Sequence, residues 1–175
     1  MTSPDAPGVQ GESPAVKSEL QTGRVASLDG TGLRVAIACG RFNDVITDRL
    51  LAGCRAGLTA LGLKDDDISE VWVPGAFELP LVAQALARTG SYDAVITLGA
   101  VIRGGTPHFD YVAGECAAGV MRVSLATGVP IVFGVLTTDT VDQAMDRSVD
   151  DLEENKGHDS ALTAVEMASL LRSIG

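Results

Sequence analysis

The chain has 175 residues, with 13 Lys+Arg against 23 Asp+Glu and a formal net charge of -10. Apolar residues make up 46%, charged residues 21%, and the mean hydropathy is +0.23. These values exclude a disordered chain and fit one domain with a substantial core. They also argue against nucleic-acid or membrane-surface binding, which needs clustered cations.

A positive mean hydropathy beside this much charge points to apolar surface buried between copies. Cys39, Cys54 and Cys116 stand far apart, with no Cys or His spacing that suits zinc. Scattered thiols in odd number fit a reducing compartment. The first 23 residues are rich in Pro, Ser, Gly and Glu, which predicts a flexible tail without a secretion signal. No run of 18 uncharged apolar residues occurs, so a soluble, cytoplasmic protein is expected.

Residues 24–175 are expected to form a single domain. After the Gly-Thr-Gly turn signal at 30–32, Leu33–Cys39 reads as a strand. Asp44–Leu61 carries apolar residues at helical spacing and stops at Gly62. Ile68–Val73 is a second strand, and Trp72 within it is expected in the core. Phe77–Ala87 is a second helix, with Pro80 tolerable only in its first turn. Ala94–Ile102 is a third strand, Phe109–Thr127 a third helix closed by Gly128, and Ile131–Leu136 a fourth strand. Val141–Arg147 and Ser160–Arg172 read as helices, joined by a polar link over Ser148–Asp159. Continuous apolar strands separated by helices predict an α/β fold. The expected form is a three-layer, flavodoxin-like sandwich with a four-stranded parallel sheet flanked by helices.

Ligands of such sheets bind beyond the carboxyl ends of the strands. The loops expected there are Gly40–Asp44, Pro74–Glu78, Arg103–His108 and Thr137–Thr140. Gly104 and Gly105 would let backbone amides approach an anion at a helix start, with the Thr106 hydroxyl beside them. A plain turn that needs glycine for its own conformation remains equally open. Arg103 either adds charge to this loop or orients it. His108 beside the loop is the candidate for proton transfer, whereas His158 carries no such context. Phe42 and Phe77 could stack on a flat heterocycle, or staple the helices that follow. Glu78 could accept hydrogen bonds from ligand hydroxyls, or stabilise a helix start. The runs Asp65–Asp67 and Asp150–Glu154 read as solvated faces.

Several stretches together resemble lumazine synthase. They are V-P-G-A-F-E-L-P at 73–80, G-A-V-I-R-G-G-T-P-H-F-D-Y-V at 99–112, G-R-F-N-D at 40–44, F-G-V-L-T-T at 133–138 and N-K-G at 155–157. The likeness covers about residues 24–172. It implies condensation of 5-amino-6-(D-ribitylamino)uracil with 3,4-dihydroxy-2-butanone 4-phosphate. The product is 6,7-dimethyl-8-ribityllumazine, with phosphate and water released, at the penultimate step of riboflavin biosynthesis. It implies no metal and no organic cofactor. It further implies a homopentamer with active sites between subunits, which in some members builds decamers or 60-subunit shells.

By position, the resemblance makes Phe42 the ring that stacks on the pyrimidine, with Asn43 shaping the pocket beside it. Gly75, Ala76, Phe77 and Glu78 would line the ribityl side. Val101 and Ile102 would offer backbone groups to the uracil edge. Arg103 is counted among the binding residues, and Gly105 and Thr106 would hold the phosphate. His108 would move protons. A neighbouring subunit would contribute Phe133, Arg147 and Lys156. After Arg147, where Ala-Gly is common in the family, this chain has Ser148-Val149 and then Asp150, Asp151, Glu153 and Glu154. Those acids are either solvated or hold the Lys156 side chain.

Three other readings compete. A flavodoxin-like flavin carrier wants its Ser/Thr/Gly loop after the first strand, where this chain has Gly40-Arg41-Phe42. A receiver-type signalling domain wants an aspartate at the end of the third strand, where this chain has Leu98-Gly99-Ala100. A catalytically silent assembly homologue is disfavoured by the presence of Phe42, Glu78, Thr106, His108, Arg147 and Lys156.

Overall fold

The computed structural model describes residues 26–175, and the tail expected over residues 1–23 lies outside them. Four strands form one parallel sheet: β1 (Val35–Gly40), β2 (Ile68–Val73), β3 (Ala94–Ile102) and β4 (Ile131–Thr138), in the order β2-β1-β3-β4. Five α-helices accompany them among the described residues: α1 (Asp44–Ala60), α2 (Leu79–Arg88), α3 (His108–Thr127), α4 (Val141–Met145) and α5 (Lys156–Ile174). This is the flavodoxin-like three-layer sandwich that the alternation of apolar strands and helices predicts.

Strand position explains the strand sequences. All six residues of β1 are buried, because it pairs with β2 on one side and β3 on the other and carries helices on both faces. Val35, Ile37 and Cys39 face one core layer, where α1 and α5 pack together. Ala36 and Ala38 face the other, under α2 and α3. β2 is an edge strand whose burial alternates, and Trp72 on it is 36% exposed rather than in the core. Its neighbours in sequence are apolar, but an edge strand has no second neighbour to cover its outer side.

β1 runs over Val35–Gly40 and β4 extends to Thr138, each within two residues of expectation, and three helix bounds differ for local reasons. The second helix is preceded by a 3-10 turn over Ala76–Glu78, so α2 starts at Leu79 and Pro80 sits in its first turn. There its missing N–H leaves no hydrogen bond unmade. The helix expected over Val141–Arg147 ends at Met145. The polar link is shorter than Ser148–Asp159, because α5 begins at Lys156, four residues before Ser160. Asn155 starts that helix early. Its Oδ1 accepts the N–H of Gly157 at 2.8 Å and of His158 at 3.4 Å.

The contact between α1 and α5 is close, because glycines face it. A Cβ at Gly157 would run into the backbone carbonyl of Leu50, and one at Gly57 would lie 2.9 Å from Ala161 Cβ and from His158 Cδ2. His158 is half-buried in this contact, and its Nδ1 has no hydrogen-bond partner among the described residues.

The site follows from the connectivity. From β1 the chain passes to β2 on one side, then crosses to β3 on the other. The carboxyl ends of β1 and β3 therefore border the crevice where the winding reverses. No helix among the described residues is long and apolar enough to cross a membrane.

Candidate active site

The loop after β1 is tied to the loop after β2. Arg41 N–H donates to Val73 O at 2.9 Å, and Phe42 N–H donates to Pro74 O at 3.0 Å. Asn43 then takes a left-handed conformation with φ 64°, the one positive φ outside glycine among the described residues. Its Nδ2 donates to Ala100 O at 2.9 Å, so the turn is anchored to β3. Its carbonyl accepts the N–H groups of Ile46 and Thr47 and so opens α1. The result stands Phe42 out on the rim, 74% exposed. A hydrophobic staple would bury this ring.

The loop after β2 brings a carboxylate to the same place. A Cβ at Gly75 would lie 3.5 Å from Glu78 Oε2 and 3.8 Å from Phe42 Cβ, so glycine leaves that volume open. Ala76 is buried beneath, and Phe77 stands 57% exposed.

The loop after β3 has a more open backbone. Gly104 and Gly105 lie outside the positive-φ glycines, and a Cβ at either would meet nothing within 4 Å. Neither a left-handed backbone nor a close contact therefore calls for glycine at these two positions. The N–H groups of Gly104, Gly105 and Thr106 donate to no protein acceptor among the described residues. Free amides and open space before the first turn of a 20-residue helix suit an anion. Pro107 is the N-cap of α3, and His108 is its first residue, exposed to the cavity.

These loops enclose a cavity of about 720 Å³, within the range of small-molecule sites. Phe42, Gly75, Ala76, Phe77, Glu78, Val101, Ile102, Thr106 and His108 all line it. Asn43 and Gly105 lie outside the lining, and Asn43 reaches β3 through its side chain. Phe109, Tyr111 and Val112 also line the cavity and were missed by the sequence reading. Tyr111 lies three residues after His108, one helical turn along, and that spacing was the available signal. Among the described residues the lining contains no Lys or Arg.

Arg103 points elsewhere. Its Nε donates to Asp139 Oδ1 at 2.9 Å, its Nη1 donates to Asp110 Oδ1 at 3.1 Å, and its Cζ sits 4.1 Å from the centroid of the Phe109 ring. The hydrogen bonds it donates to Asp139 and then to Asp110 raise its already high pKa, so it stays charged.

Phe133, Arg147 and Lys156 gather in a second cavity of about 570 Å³ along the exposed edge of β4. Phe133 is 40% exposed there. The pair Arg147 and Lys156 is assembled through the backbone, with Lys156 N–H donating to Arg147 O at 2.9 Å. Arg147 Nη1 donates to Gln143 O at 2.9 Å, and Lys156 Nζ to Asp159 Oδ2 at 2.7 Å. The lysine's ion pair is thus with Asp159, while Asp150, Asp151, Glu153 and Glu154 are exposed. No glycine is needed after Arg147. Ser148 is buried, its N–H donates to Met145 O, and its Oγ donates to Ala144 O at 3.1 Å.

Among the described residues no group of three or more His, Cys, Asp or Glu could hold a metal ion. Fold and cavity together define a flavodoxin-like α/β protein with a small-molecule pocket at the carboxyl rim of its sheet. The family model of 6,7-dimethyl-8-ribityllumazine synthase matches residues 32–172, and the chain belongs to this family. The family is one of transferases in riboflavin biosynthesis, acting on small molecules.

Proposed function

We propose that this protein condenses 5-amino-6-(D-ribitylamino)uracil with 3,4-dihydroxy-2-butanone 4-phosphate to give 6,7-dimethyl-8-ribityllumazine, phosphate and water. One observation carries the reading. Residues from three separate loops, namely Phe42, Phe77, Glu78, Thr106 and His108, line a single cavity. Family membership supports it.

The chemistry asks little covalent work of the protein. The nucleophile is the substrate's own amine. Schiff-base formation, loss of phosphate and ring closure each move protons, and the His108 imidazole can both give and take them near neutrality. Phe42 stacks on the pyrimidine, and Glu78 accepts hydrogen bonds from the ribityl hydroxyls. The free amides around Gly105 and the Thr106 hydroxyl bind the phosphate. Holding two substrates in register supplies much of the acceleration.

The working site is shared between subunits of a homopentamer. Among the described residues the first cavity has no Lys or Arg for a phosphorylated substrate, while Arg147 and Lys156 line a separate cavity on the β4 edge. A neighbouring copy that lays its β4 edge against the first cavity supplies that charge. Exposed Tyr111, Met121 and Leu125 along α3 are surface for such contacts. The assembled protein works in the cytoplasm.

The test is direct. The purified protein is mixed with both substrates, and the fluorescent lumazine is followed against the uncatalysed condensation. Acceleration supports the reading, and equal rates reject it. Light scattering at the same concentration gives the assembly, and a fully active single chain would remove the shared site.

A further inference from the structure

We propose that Arg103 is a positioning residue: clamped by Asp110 and Asp139 over the Phe109 ring, it seats the phosphate loop and His108 and does not itself bind phosphate. This rests on the reading of function given above and deepens it.

The geometry commits two of the three guanidinium nitrogens, and the group lies over an aromatic ring. One nitrogen donates to Asp139 at the end of β4, a second donates to Asp110 in the first turn of α3, and the planar face lies on Phe109. The backbone of the same residue is fixed as well, since Arg103 N–H donates to Thr138 O at 2.9 Å. Gly104, Gly105, Thr106 and Pro107 therefore span two points held by one side chain, its own Cα and the first turn of α3. His108 and Phe109 sit inside that span. Loop amides with no protein partner have little else to define their place.

Charge argues the same way. One guanidinium between two carboxylates leaves this cluster with a net charge of about -1, which repels a phosphate. The field for the anion must then come from the loop amides and from cations such as Arg147. The ion pairs are well exposed, at 43% for Arg103, 60% for Asp110 and 68% for Asp139. Pairs this exposed add little to global stability, so variants here are expected to fold.

Asp139 extends the clamp. Its N–H donates to Gln143 Oε1 at 2.9 Å, and the Gln143 carbonyl accepts from Arg147. Arg103 thus ties the His108 loop to the segment that carries Arg147.

The two roles predict opposite signs. R103K, D110N and D139N are prepared as full chains and compared with the parent for kcat, for KM of the phosphorylated ketone and for amide exchange without substrate. Lysine keeps the charge but loses the fork and the flat stack. If Arg103 positions the loop, all three variants lose roughly tenfold or more in kcat, with that KM within about threefold of the parent. Amide exchange at Arg103 and Asp110, whose N–H groups donate to Thr138 and Pro107, speeds up by roughly threefold or more in R103K.

The proposal is overturned if D110N or D139N lowers the KM while kcat holds, because a freed guanidinium would then be gripping phosphate. It is equally overturned if R103K keeps the parent's kcat, or if exchange at both amides is unchanged. Should the parent itself fail to convert the substrates, the functional reading falls, and the exchange measurement alone decides whether Arg103 seats the loop.

Discussion

Replacing Asn155 by alanine should destabilise the fold and loosen both cations of the second cavity together. Asn155 is only 2% exposed. Its Nδ2 donates to Val149 O at 2.8 Å and to Arg49 O at 3.2 Å, while its Oδ1 caps α5. Losing the cap costs about 1 kcal/mol. The Val149 carbonyl, left without its donor, adds about 1–1.5 kcal/mol, whereas Arg49 O keeps a place in the α1 ladder. The total is about 2–2.5 kcal/mol, which lowers a urea midpoint by about 1 M at a slope of about 2 kcal/mol per M. The midpoints are compared at equal protein concentration, because any assembly contributes to them. N155D separates the two parts. It keeps the acceptor for Gly157 and His158 but turns an acceptor toward the Val149 carbonyl, so it should still lose about 1 kcal/mol or more. A midpoint for N155A within about 0.2 M of the parent would refute the account.

Other outcomes follow from named contacts. G157A drives a Cβ into the Leu50 carbonyl, a backbone atom that cannot swing aside, so it should cost about 4 kcal/mol or fail to yield folded protein on expression. H108A should lower kcat with KM for both substrates little changed; an unchanged rate removes His108 from proton transfer. R147A should weaken kcat/KM for the phosphorylated ketone by about 1.5–3 kcal/mol, roughly tenfold or more, and an effect confined to the uracil would exclude that role. Burial pushes the thiol of Cys39 up to about 12 and that of Cys116 up to about 11, from an ordinary 9.0, and raises that of Cys54 too. A raised folded pKa favours the fold fully below 9, and that contribution declines as pH rises from 9 toward 11–12. Alkylation at pH 8 should therefore be slow in folded protein and reach all three cysteines in urea, as read by intact mass.

Local sequence determined much of this molecule. Strands such as Ala94–Ile102 are apolar at nearly every position, because a central parallel strand is covered on both faces. That pattern is intrinsic to the chain and needs no partner to read. The loops at the carboxyl rim are also legible, since the Gly- and Pro-containing stretch Arg103–His108 interrupts the apolar pattern between a strand and a helix. Helix α5 is harder: its start depends on one side chain, Asn155, which also bonds Val149 six residues back and Arg49, 106 positions away. Trp72 misled because hydrophobicity reports what a residue prefers, while edge position decides what can cover it.

The tertiary structure alone decided which polar groups meet. Arg103 could have faced the ligand or its own fold, and only the closing of β4 beside β3 brings Asp139 within reach of it. The same closing leaves Arg147 and Lys156 on the far edge, away from the cavity that lacks a cation. Composition and periodicity record the preferences of single residues and near neighbours. Charge pairing depends on distances between segments far apart in the chain, and those exist only once the sheet has formed.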